Sequence, residues 1–167
     1  SLLVTLFHTD IDDLIEVRDL GGFNFQAIQV EEARIRGIEL GYRYAAGPWT
    51  LSADYTHQDA KNRSLDERLG RRARNIASAT LQYAEPRWWT EATALYQDER
   101  PDFTGSTTQL GAYTTVDVTA GYRFSPALSV TGRVQNLFDE DYELAATYPA
   151  QGRFVSVQLN YSYDARP

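Results

Sequence analysis

From residue 49 to residue 58 apolar and polar residues alternate: Trp49, Leu51, Ala53 and Tyr55 share one face, and Thr50, Ser52, Asp54 and Thr56 the other. The same period of two recurs over residues 76–83, 113–124 and 155–163. In the last of these Val155, Val157, Leu159, Tyr161 and Tyr163 oppose Ser156, Gln158, Asn160 and Ser162. Residues 2–17, 35–44, 88–97 and 128–135 complete a set of about eight strands, the first of them apolar on both faces between Leu2 and Phe7.

The connections sort by length. Residues 45–48, 84–86 and 125–127 are short; residues 18–33, 59–71, 98–112 and 137–153 are long, and the two kinds alternate along the chain. A transmembrane barrel has tight turns on one rim and long loops on the other. A soluble antiparallel sandwich alternates in the same way within its strands but has no reason to sort its loops. The apolar face also carries small and medium residues in mid-strand and aromatics at the ends. Tyr42, Tyr44, Trp49, Tyr83, Trp88, Tyr122, Phe124, Tyr161 and Tyr163 cluster beside the short turns, and Tyr55 and Tyr96 lie toward the long loops. Two such girdles are what a bilayer selects. The opposite face carries Glu39, Arg43, Asp54, Glu91, Asp117, Arg123 and Arg133, suited to a wet or plugged lumen. Arg34 and Arg36 fall on the lipid-facing parity, at the level where anionic head groups would receive them. The expected fold is therefore all-β, an antiparallel transmembrane β-barrel.

Composition narrows the function. No apolar run approaches the roughly 18 residues of a spanning helix, which leaves barrel strands open. With no cysteine and a net charge of −7, thiolate metal sites are excluded and nucleic-acid binding is disfavoured. The acids gather in the long connections. Asp10, Asp12 and Asp13 make a carboxylate group without an EF-hand pattern, and His8 and His57 sit in separate strands, so no metal site is assigned. No nucleophile elbow or glycine-rich phosphate loop appears; Glu91 and Asp117 read as members of a salt-bridge network with Arg123, Arg133 and a plug. The chain is not expected to be an enzyme and needs no cofactor. It opens at Ser1 without a basic leader, which points to either a processed product or a piece of a longer protein.

Asn136-Leu137-Phe138-Asp139, then Asp141-Tyr142-Glu143, then Gly152-Arg153 before the last strand, resemble the terminal portion of TonB-dependent outer-membrane receptors. Ile11-Asp12-Asp13-Leu14-Ile15 and Ala33-Arg34-Ile35-Arg36-Gly37-Ile38-Glu39 resemble two further stretches of that family. The segment 55–74, with Asp59-Ala60 and Leu69-Gly70-Arg71-Arg72-Ala73, is most similar to its vitamin B12 receptors. The resemblance implies that residues 1–163 are the C-terminal third of a 22-stranded barrel, with 164–167 a tail beyond the aromatic on which family members usually stop. It implies uptake of cobalamin across the outer membrane of a Gram-negative bacterium. TonB would act through a plug not contained in this chain. The remaining barrel strands, lipid and lipopolysaccharide are the other implied partners. The alternatives are a ferric-siderophore receptor and a free-standing eight-stranded barrel.

Position by position, the resemblance makes Tyr148, before Pro149-Ala150-Gln151-Gly152-Arg153, the first candidate for a cobalamin contact. Arg71 is the second, its guanidinium offering several donors to ligand amides or a phosphate. Arg100 is the third.

Overall fold

The computed structural model describes residues 1–20 and 24–163; residues 21–23 and the expected tail 164–167 lie outside the described residues. The described chain is all-β. Its strands are β1 (Leu2–Asp19), β2 (Phe25–Ala46), β3 (Trp49–Asn62), β4 (Glu67–Arg68), β5 (Asn75–Ala84), β6 (Trp88–Gln97), β7 (Arg100–Pro101), β8 (Gln109–Leu110), β9 (Tyr113–Ser125), β10 (Leu128–Gln135), β11 (Glu143–Ala145), β12 (Tyr148–Pro149) and β13 (Phe154–Tyr161). Eight long strands pair antiparallel in the order β1-β2-β3-β5-β6-β9-β10-β13, with β4 extending the end of β3. Two small hairpins, β7–β8 and β11–β12, stand within the long connections. The eight expected strands are these eight.

Register carries the alternation across the wall. Tyr42 pairs with Ala53, Ala53 with Ala79, Ala79 with Ala94 and Ala94 with Val116, so one apolar row crosses five strands. Leu40, Leu81, Val157 and Leu159 on this face remain exposed. Apolar side chains left open to the surroundings over a whole sheet face need lipid or a partner. At the short-turn end, Trp49 meets Tyr83 edge-on at 4.7 Å and Tyr83 stacks on Trp88 at 5.0 Å. Trp88 in turn pairs in register with Tyr122. The girdle is thus a continuous band of rings. Toward the long loops, the Tyr55 hydroxyl donates to Asn75 at 2.7 Å and that of Tyr96 to Asp98 at 2.6 Å. Each ring keeps its apolar body on the wall and its polar tip toward the loops.

The opposite face holds the expected charges, with Arg133 donating to Asp117 at 2.8 Å. Within this chain, two other expected members sit apart from this pair. Glu91 pairs with Thr119, two residues along from Asp117, and Arg123 donates instead to the Pro86 carbonyl at 3.1 Å.

One connection is shorter than its sequence implies. Residues 18–33 read as a long loop because charges interrupt the pattern, yet β1 and β2 stay paired as far as Asp19 opposite Phe25. Continued pairing satisfies backbone groups that a loop would leave to other partners. Asp13, at φ 58°, interrupts the regular backbone of this extension. Ile11 and Leu14, of opposite parity, both pack on the buried cluster of Ala33, Ala60 and Leu69. The buried side chains, including Ala73, Leu110, Asp102 and Thr104, gather at the long-loop end rather than in mid-wall.

Candidate functional site

Three long connections converge at that end. Segment 63–74 between β3 and β5 presses onto the β7–β8 hairpin: a Cβ on Gly70 would stand 2.7 Å from the Phe103 Cα. The Gly70 N–H donates to Thr104 Oγ1 at 2.9 Å, and the Thr104 hydroxyl donates to Glu16 of β1. Arg18 of β1 reaches Glu67 of β4 at 3.3 Å.

Arg71 lies in this seam. Its backbone has φ 55°, its N–H donates to the Pro101 carbonyl at 2.8 Å, and its Nε donates to Asp102 Oδ1 at 2.9 Å. The guanidinium sits 4.8 Å from the Phe103 ring centroid, a cation–π distance. Asp102 is buried while the Arg71 side chain stays 45% exposed. An open depression of about 210 Å³ borders Arg71 and Arg72. The expected donor is thus half spent on a loop clamp and half presented outward.

Arg100 is placed otherwise. It opens β7 and is only 2% exposed. Its Nη2 donates to the Glu143 carbonyl at 3.2 Å, and its guanidinium lies 5.7 Å from the Tyr113 ring centroid. Tyr113 stacks on Tyr142 at 4.1 Å. Nη1 has no hydrogen-bond partner among the described residues. Arg100 therefore braces the β11–β12 hairpin.

That hairpin carries Tyr148, paired with Ala145 and 71% exposed. Its ring is presented rather than packed. The three candidates share one loop system: Arg71 clamps Asp102, two residues from Arg100, and Arg100 braces the hairpin of Tyr148.

The Asn136-Leu137-Phe138-Asp139 run folds the base of this loop. Asn136 Oδ1 accepts the Glu140 N–H at 2.9 Å, and its Nδ2 donates to the Glu140 carbonyl at 2.9 Å. Asp139 Oδ1 accepts the Arg153 N–H at 2.7 Å. That backbone donor, with the Arg153 guanidinium, holds the Asp139 carboxyl below the usual carboxylate range. Asn136 and Asp139 have φ of 49° and 58°, tolerated better by these short polar side chains than by most.

Asp102, Thr104, Glu16 and the Tyr113–Tyr142 stack escaped sequence reasoning, because nothing local distinguishes them. Asp10 pairs with Arg34 at 2.7 Å and Asp13 accepts from Gln29 at 2.6 Å. Among the described residues no group of three or more His, Asp or Glu is placed to hold a metal.

Residues 1–137 match the family model described as TonB dependent receptor-like, beta-barrel. The chain belongs to the TonB-dependent receptor β-barrel family. Its curated relatives include the vitamin B12 transporter BtuB of Photobacterium profundum, 34% identical over 96% of this chain and 27% of the relative. BtuB of Vibrio vulnificus is 31% identical over the same shares. This TonB-dependent receptor chain thus spans about a quarter of the length of the curated relatives it matches. Among solved structures, the copper transporter OprC aligns with TM-score 0.80 and 23% identity, over 97% of this chain and 28% of OprC. The siderophore receptor PiuA from Acinetobacter baumannii aligns with TM-score 0.76 and 20% identity, over 97% of this chain and 26% of PiuA. These likenesses establish the fold: an antiparallel wall of the same architecture as part of each of those barrels. The family consists of receptors and transporters.

Proposed function

We propose that this chain is the C-terminal barrel portion, over residues 1–163, of an outer-membrane receptor that takes up cobalamin. The carrying observation is the identity of 34% and 31% to two vitamin B12 transporters across nearly the whole chain. Structural neighbours named for copper and siderophores share the fold at lower identity. TonB-coupled energy would enter through a plug in another part of the polypeptide, and the remaining strands would close the wall that β1 and β13 leave open. Open edges find no hydrogen-bond partners in lipid.

In this reading Tyr148 offers a large, stiff, amphipathic ring to the corrinoid, and Arg71 offers its outward N–H donors to amides or a phosphate. Arg100 acts by holding the hairpin of Tyr148. The wall faces outer-membrane lipid through its aromatic girdles.

The test uses the full-length protein carrying this chain, in detergent, titrated with cyanocobalamin and separately with ferric enterobactin. Saturable cobalamin binding that the siderophore fails to compete supports the reading. Competition by the siderophore, or siderophore binding alone, moves the protein to the ferric-siderophore receptors.

A further inference from the structure

The β11–β12 hairpin that carries Tyr148 is rooted at its base and strained at its tip. At the base, the Tyr142 carbonyl accepts the Ala150 N–H at 2.9 Å, and the Tyr142 ring stacks on Tyr113 at 4.1 Å. Tyr113 is the first residue of β9 and is buried. Its backbone pairs with Gln97 of β6, and its hydroxyl donates to the Gln97 side chain at 2.6 Å. The post under the hairpin therefore stands on the wall rather than on another loop. Arg100 adds a second hold one residue further on, at the Glu143 carbonyl.

At the tip, Ala146 and Thr147 make a two-residue turn between the paired Ala145 and Tyr148. Thr147 has φ 67°. A positive φ at the second central position of such a turn ordinarily calls for glycine or asparagine, and in a β-branched residue it is an outlier. Thr147 is exposed, so burial gives no reason for threonine there. Between base and tip the register shifts by one residue, from Glu143 to Ala145, and a bulge of this kind re-aims the side chains beyond it. Post, bulge and strained turn all act on Tyr148, which follows Thr147 directly and is exposed. An exposed ring loses orientational freedom when a ligand orders it, and a backbone already restrained makes that loss smaller.

We propose that Tyr142 and Thr147 are positioning residues that hold Tyr148 in the pose in which it meets the ligand. Tyr142 roots the hairpin on the wall. Thr147 narrows the backbone freedom from which the Tyr148 ring projects, freedom that glycine would restore. The inference rests on the reading that Tyr148 contacts the ligand, but the order of the hairpin is measured without any ligand.

The experiment uses the full-length protein in detergent with cyanocobalamin as the probe. Thr147→Gly is expected to bind about fivefold more weakly, through faster dissociation, and Tyr142→Ala to lose at least as much. Tyr142→Phe keeps the stacking ring and Thr147→Asn tolerates the positive φ, so both should bind like the unaltered protein. In a Tyr148→Ala background Thr147→Gly should change nothing further, because positioning acts through that ring. Unchanged binding by Thr147→Gly overturns the proposal, as does an equal loss in the Tyr148→Ala background. Without ligand, amide exchange over residues 143–149 should quicken in Thr147→Gly and Tyr142→Ala and stay level in Tyr142→Phe. Should the unaltered protein not bind cyanocobalamin, the cobalamin reading falls, and this exchange decides the inference: exchange left level by Thr147→Gly overturns it. Heat-modifiable migration reports folding. Should Tyr142→Ala not fold, Thr147→Gly, at an exposed tip, carries the test alone.

Discussion

Arg71 and Asp102 lie 31 residues apart in sequence, and their side chains meet Nε to Oδ1 at 2.9 Å. The carboxylate is buried and the guanidinium is not. Removing the arginine therefore leaves a buried charge without this partner, whereas removing the aspartate frees an arginine that water can solvate. Arg71→Ala should loosen segment 63–74 and the β7–β8 hairpin by about 1–3 kcal/mol, more than Asp102→Ala. Amide hydrogen exchange of the two segments in the full-length protein measures the difference. Equal effects would mean that the clamp works through shape alone.

Gly37 and Gly121 are close-approach positions. A Cβ on Gly121 would lie 2.4 Å from Trp89 Nε1, and one on Gly37 would lie 2.2 Å from the His57 carbonyl oxygen. Trp89 can swing away, but the backbone of β3 has less freedom to do so. Gly37→Ala is expected to cost more than Gly121→Ala, each within the roughly 1–3 kcal/mol of overpacking. Gly132, where an added Cβ meets nothing within 4 Å, serves as the neutral control. Urea titration of heat-modifiable migration ranks the three.

Neighbouring positions on β5 separate the two faces. Ala79 belongs to the apolar row and Thr80 to the polar face, where its hydroxyl meets Thr93 at 3.0 Å. Ala79→Arg should impair folding into bilayers by about 2–4 kcal/mol if it lies near the midplane, and Thr80→Arg by much less. Folding yield into vesicles of matched thickness reads the contrast. Equal yields would remove the assignment of faces.

Protonation should loosen the loops before the wall. Asp139 is held below the usual carboxylate range chiefly by the Arg153 N–H, and Asp98 chiefly by the Tyr96 hydroxyl. A carboxyl whose folded value is lowered stabilises fully above its unfolded value, near 3.9. That stabilisation is lost as pH falls through the folded value. Exchange protection around residues 136–153 should stay level from neutral pH to about 5 and decline below about 4. In Asp139→Asn, which keeps an acceptor oxygen but loses the charge, the decline should shrink.

The wall was legible in the sequence because its information is local. Trp49, Leu51, Ala53 and Tyr55 declare their face by spacing alone, and period two survives whatever the neighbouring strand. Gly47 and Pro48 declare a tight turn, and the aromatics beside it declare an interface. The hairpin of β1 and β2 was less legible, since charges mask the alternation; only pairing with β2 shows the strand continuing. Tyr148 was put forward by resemblance, and its side chain is exposed. Arg71 and Arg100, similar on paper, diverge in space.

The sequence by itself thus determined the eight strands, the two faces and most of the alternation of short and long connections, all set by side-chain spacing and turn chemistry. Tertiary structure decided which loops touch. Arg100 became a buried brace and Arg71 a half-exposed clamp because segments up to 88 residues apart, such as those of Glu16 and Thr104, fold onto one another. Contacts at that separation leave no periodicity to read, since each depends on a loop path fixed by the closing of all the others.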